Sequence, residues 1–113
     1  MYNIFRELEL DFTEIDNLEK MHNLLMNIFG FPVFYGKNVN ALIDCLSDLR
    51  VQGEKGETLC DFKIKTEEII ILNCKNFSYK SSIIQNHFIT AIESINKREI
   101  EIGNIPSIFL NFN

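Results

Sequence analysis

The sequence predicts an α/β fold, a small three-stranded and mainly parallel sheet with flanking helices. Three observations lead there. Stretches in which every second residue is apolar alternate with stretches in which every third or fourth is. Read along the chain, those stretches run β-α-α-β-α-β. Strands separated by helices pair in parallel, and the helices then cover the sheet. The 113 residues suit one domain, 1–113, large enough to bury a core without disulfides or metal.

The first strand is expected over residues 4–12. Ile4, Leu8, Leu10 and Phe12 should point one way and Glu7, Glu9 and Asp11 the other, with Phe5 and Arg6 breaking the alternation. A helix should begin near Asp16, which can cap it, with Glu19 completing a capping-box-like pair. Leu18, Met21, Leu25 and Ile28 give that helix one apolar face, and Gly30 suits a left-handed stop. His22 lies on it with no acid or nucleophile at motif spacing, so a surface or boundary place is expected.

The loop Phe31-Pro32-Val33-Phe34-Tyr35-Gly36-Lys37 is rich in aromatics, whereas loops are normally polar. Its rings either fold onto the core or form a binding surface, where rigid aromatics are favoured anchors. Asn38 can cap a second helix over 38–49. Ala41, Leu42, Cys45, Leu46 and Leu49 should face the core, while Asn40, Asp44 and Asp48 form a polar stripe at four-residue spacing. Asp44 and Asp48 fall in the half of the helix where the dipole disfavours negative charge, by about 0.3–1 kcal/mol each.

Residues 50–66 read as an exposed excursion with a short extended piece over 58–64. Glu68–Cys74 is a β-branched apolar run, expected as a strand buried on both faces. A third helix over 81–97 should bury Ile84, Phe88, Ala91, Ile92 and Ile95, with His87 packed beside that face. Ile108–Phe112 reads as the last strand.

Bulk properties narrow the function. The chain is 46% hydrophobic and 24% charged, a globular profile. Its net charge of -5 argues against nucleic acid as a partner and for a basic protein partner. The longest unbroken apolar run, Ile69–Leu72, is far too short for a membrane span, and no leader-like N-terminus appears. Cys45, Cys60 and Cys74 are odd in number and lack C-x-x-C spacing, which points to reduced buried thiols in a cytoplasmic protein. No spacing suggests a metal site or a cofactor.

The run FPVFYGKNVNALIDCL at 31–46 resembles the signature of the barstar family, the intracellular inhibitors of barnase-type ribonucleases. The matching residues are Pro32, Phe34-Tyr35, Gly36, Asn38, Ala41-Leu42 and Asp44-Cys45-Leu46. The order of strands and helices on either side fits as well. The resemblance implies a barstar-like sheet of three parallel strands and an inhibitor or immunity protein that is not an enzyme. It implies a ribonuclease or nuclease-type toxin as partner, its basic active site plugged by the loop 31–37 and the acidic face of helix 38–49, with the inhibitor monomeric when free. The implied partner-binding residues are Phe34, Tyr35, Gly36, Asn38, Asn40, Ile43, Asp44, Asp48 and, from the third helix, Glu93. Asp44 holds the position of the dominant acidic contact.

This chain departs from the pattern at several places. Asn40 stands where the family often has a carboxylate, Phe34 lacks a tyrosine hydroxyl, Ile43 replaces a tryptophan, and the 50–66 segment is longer than in the prototype. These changes point away from barnase itself and towards a different nuclease or toxin. Two other readings are a barstar-like module with a non-nuclease partner and an enzyme. An enzyme would have to draw on Cys45, His22, His87 and Asp44, which share no recognisable spacing.

Overall fold

The computed structural model describes residues 2–50 and 59–112. Strand β1 spans Asn3–Asp11, helix α1 Leu18–Phe29 and helix α2 Val39–Ser47, which tightens into a 3-10 turn at Asp48–Arg50. Strand β2 spans Glu68–Lys75, a 3-10 turn Phe77–Tyr79, helix α3 Ser82–Glu101 and strand β3 Ile108–Phe112. The sheet order is β1-β2-β3 and both pairings are parallel. Each connection between neighbouring strands therefore carries helix, as parallel crossovers require.

Alternate strand residues, Leu10, Ile70, Leu72, Cys74 and Ile108, are buried in one core with Phe12, Leu25, Leu42, Leu46 and Phe88. Phe12 sets its ring edge-on to both Phe77 and Phe88. The intervening residues make a polar ladder. Asn73 Nδ2 donates to Glu9 Oε1 at 2.9 Å, and Asn111 Nδ2 donates to Asn73 Oδ1 at 2.9 Å. Burial of β2 on both faces holds only at its start, where Ile69 and Ile70 are both fully buried. Ile71 and Asn73 are only half-buried, because their neighbours in register include Glu7, Glu9 and Asn111, which need water.

Three local expectations are corrected. Ile4 does not join the inward row but is 52% exposed, because the β1–β2 register shifts between Ile4 and Arg6. The broken alternation at Phe5 and Arg6 is the sequence trace of that bulge. The cap of α1 is Asn17 rather than Asp16. Asn17 Oδ1 accepts from Lys20 N at 2.8 Å, and Asp16 instead pairs with Lys20 Nζ at 3.0 Å. Helix α3 continues a turn past residue 97, to Glu101, and that added turn turns Glu99 inward.

The inward Glu99 meets Arg50, which pins the end of α2. The Arg50 side chain is 3% exposed and lies 3.9 Å from Glu99 Oε2. Its guanidinium also donates to the carbonyls of Lys65, Glu68, Ile105 and Pro106. One buried cation so ties the start of β2 and the turn before β3 to α2. The described part of the excursion, 59–66, contains no strand, and the remainder of the 58–64 expectation lies outside the described residues. This return segment is docked through Asp61 N to Phe29 O and Ile64 N to Leu49 O, each at 2.8 Å.

Candidate partner-binding face

The loop between α1 and α2 sorts its aromatics by a turn. Gly30, at φ 71°, ends α1 in the left-handed region, and Tyr35 N donates to Pro32 O at 3.0 Å. This turn puts Val33 and Phe34 outside, at 100% and 75% exposure, and Tyr35 inside, at 6%. The Tyr35 ring packs on Phe31, which stacks on Phe29. The Tyr35 hydroxyl is hydrogen-bonded to His22 Nδ1 at 2.5 Å.

His22 is therefore buried, against the expectation of a surface or boundary place, because its ring is the polar partner that a buried tyrosine hydroxyl requires. Burial holds the His22 pKa below its ordinary value, with smaller contributions from the nearby charges of His87 and Lys37. Burial likewise raises that of Tyr35. His87 itself is half-buried, with Nδ1 on Ile83 O at 3.0 Å.

Helix α2 carries the polar stripe. Asn38 Oδ1 accepts from Ala41 N at 2.8 Å, and Asn38 Nδ2 donates back to Gly36 O at 3.3 Å. A side chain at Gly36 would crowd that amide, since its Cβ would stand 3.3 Å from Asn38 Nδ2. Lys37, between them, is exposed and adopts φ 50°, which is unusual for a residue with a side chain. Leu42, Cys45 and Leu46 are buried, Ile43 is half-buried, and Asn40 and Asp44 are exposed. The last turn of α2 contains no basic residue, and no hydrogen bond or ion pair reaches the Asp44 carboxylate among the described residues. Burial pushes the Cys45 thiol up to about 11, helped by the charges of Asp48 and Asp44.

The family model "Barstar (barnase inhibitor)" matches residues 5–94, most of the chain. The chain belongs to the barstar family. A stretch of 42 residues is also 38% identical to "Putative ribonuclease inhibitor YrdF" of Bacillus subtilis (strain 168). That stretch covers 37% of this chain and 46% of the relative, so the match spans under half of either.

Within the barstar family frame, the structure brings together most of the expected contact residues. Phe34, Gly36, Asn38, Asn40 and Asp44 are all exposed along the loop and the following helix. Tyr35 is not on that surface, since its buried ring supports the loop from below. Asp48 is half-buried and accepts a hydrogen bond from Leu59 N at 3.2 Å, which ties it to the return segment. Glu93 is exposed on α3. Helix α3 packs against α2, and near its end Arg98 Nη1 donates to Ser47 Oγ at 3.1 Å.

Two exposed residues of this region were not singled out in the sequence. Val33 sits at the tip of the loop beside Phe34, inside the quoted motif. Asp61 sits against Gly30 and could not be placed, because nothing in the sequence says where the excursion returns. Among the described residues, no group of three or more His, Cys, Asp or Glu could hold a metal ion, and no helix is long and apolar enough to cross a membrane.

Proposed function

We propose that this chain inhibits a ribonuclease, or a nuclease-type toxin with a related active site, by seating Phe34 and Asp44 in its basic cleft. The observation that carries this is the exposed pair itself. A large aromatic stands 75% exposed on a buried support, next to a helix whose Asp44 carboxylate meets no cation among the described residues. Exposing such a ring and leaving a carboxylate against the helix dipole gives the free protein nothing.

Both features gain in a complex. A nuclease site holds Arg, Lys and His where substrate phosphate binds, and a carboxylate placed there satisfies them in place of phosphate. The Phe34 ring would pack over the site and exclude water. Asn40 and Ile43 would flank Asp44 and tune which nuclease is accepted. The net charge of -5 would speed encounter with a basic cleft, an effect well known from the family's prototype complex. In this role the chain works as a monomer in the cytoplasm of the cell that makes the toxin, and protects it.

The test is RNA cleavage by barnase-type ribonucleases and by nuclease toxins encoded beside this chain's gene, each titrated with the purified chain. Stoichiometric loss of cleavage, weaker at high salt, is the expected result. Undiminished cleavage by all of them at excess chain would refute the proposal.

A further inference from the structure

We infer that the return segment 59–62 is a third wall of the partner-binding face, and that Asp61 is a contact carboxylate for the same basic-site nuclease. This rests on the reading of the face given above and extends it to an element outside the loop and α2.

The segment is fixed at every residue. Leu59 N donates to the Asp48 carboxylate at 3.2 Å, and Cys60 Sγ donates to Cys45 O at 3.2 Å. Asp61 N donates to Phe29 O at 2.8 Å. The Phe62 ring stacks on Phe5, meets Phe29 at 6.0 Å and takes the Arg6 guanidinium on its face at 4.6 Å. The segment thus runs from Asp48, past the Asp48 and Cys45 side of α2, to the end of α1. That path borders the stripe at one end and the root of the aromatic loop at the other.

Asp61 is the residue of this segment at the loop root. A Cβ built on Gly30 would fall 1.9 Å from Asp61 Cγ, so the carboxyl group lies directly over the Gly30 backbone, one residue before Phe31. Asp61 is exposed there, and its position is electrically adverse. The C-terminus of α1 carries the negative end of the helix dipole. The last turn of α1 has no basic residue, and no cation pairs with Asp61 among the described residues. The arrangement repeats that of Asp44 on α2. In both places a carboxylate with no cation among the described residues faces solvent at the wrong end of a helix, one against the helix before the loop that carries Phe34 and one on the helix after it. A cationic partner seated on the loop relieves both.

Asp61→Asn separates this role from a structural one. The probe is the ribonuclease that the wild-type chain inhibits in the assay above, made catalytically silent, with association and dissociation rates measured at two salt concentrations beside thermal melts of each free variant. Asp61→Asn should leave the melt unchanged or raised and slow association about fivefold at low salt, as loss of a charge at the edge of an interface does. Asp61→Lys should slow it further, and Asp44→Ala serves as the control for the face itself. If Asp61→Asn and Asp61→Lys bind as wild type does while Asp44→Ala fails to bind, the inference is wrong and the proposed face stands. If none of the three changes binding, both are wrong. A clear drop in the Asp61→Asn melt with unchanged association would make Asp61 a structural residue and overturn the inference.

Discussion

Arg50 and Asp44 lie six residues apart at the end of one helix, and they treat charge in opposite ways. The Arg50 guanidinium is buried and fully engaged, with four backbone carbonyls and Glu99 around it. The Asp44 carboxylate is exposed and engaged by nothing among the described residues. A buried charge must be satisfied within the fold, and this one is used to join three segments. An exposed charge against the helix dipole has no such use within the fold, and the proposed basic partner would supply one. The aromatics divide in the same way, with Tyr35 satisfied inside and Phe34 left outside.

The largest effect on folding should come from Arg50→Met. It orphans several carbonyls and leaves Glu99 without its cation, and removal of one member of a buried pair typically costs about 3–5 kcal/mol. Denaturant melts check this. A loss under about 1 kcal/mol would mean that the clamp is not needed. Phe34→Ala should do the reverse. Stability should stay within about 0.5 kcal/mol, as for exposed sites in general. Binding to an inhibited nuclease should weaken by about 2 kcal/mol or more, the hot-spot range, measured by calorimetry.

The fold was largely legible in the sequence, and the reason is periodicity. Leu18, Met21 and Leu25 could only make one face of a helix, and Ile108–Phe112 emerged with the observed bounds. The misreadings were at places decided by a neighbour distant in sequence. His22 read as a lone polar residue because its partner Tyr35 is in the next loop. The cap of α1 is a local exception: Asp16 and Asn17 are both good caps, and Asn17 takes the place while Asp16 pairs with Lys20. Ile4 followed its alternation until a bulge shifted the register. For the candidate face, the motif at 31–46 located the loop and helix but not which ring turns inward. The position of Asp61 depends on where the excursion returns, and composition does not encode that.

Smaller effects sharpen the contrast of inside and outside for the rings. Tyr35→Phe leaves His22 buried without its hydroxyl partner, an omission worth about 1–3 kcal/mol in buried sites. The same pair gives a pH dependence. The His22 pKa is lowered on folding from 6.5, so the unfolded chain takes up a proton first. The His22 contribution is therefore complete above pH 6.5 and is lost as the pH falls from there towards the lowered folded value. Thermal melts across pH 5–7 should show that acid limb, and His22→Gln should flatten it. An equal slope in the variant would assign the limb to other groups.

The most direct measurement is Asp44→Ala, with binding to the inhibited nuclease and the melt of the free protein recorded together. The account predicts a melt unchanged or slightly raised, because the substitution removes a charge that the helix dipole disfavours. It predicts affinity reduced at least about thirtyfold, because the nuclease's cations would be left buried and unpaired. An Asp44→Ala protein that binds that nuclease as tightly as wild type would contradict it.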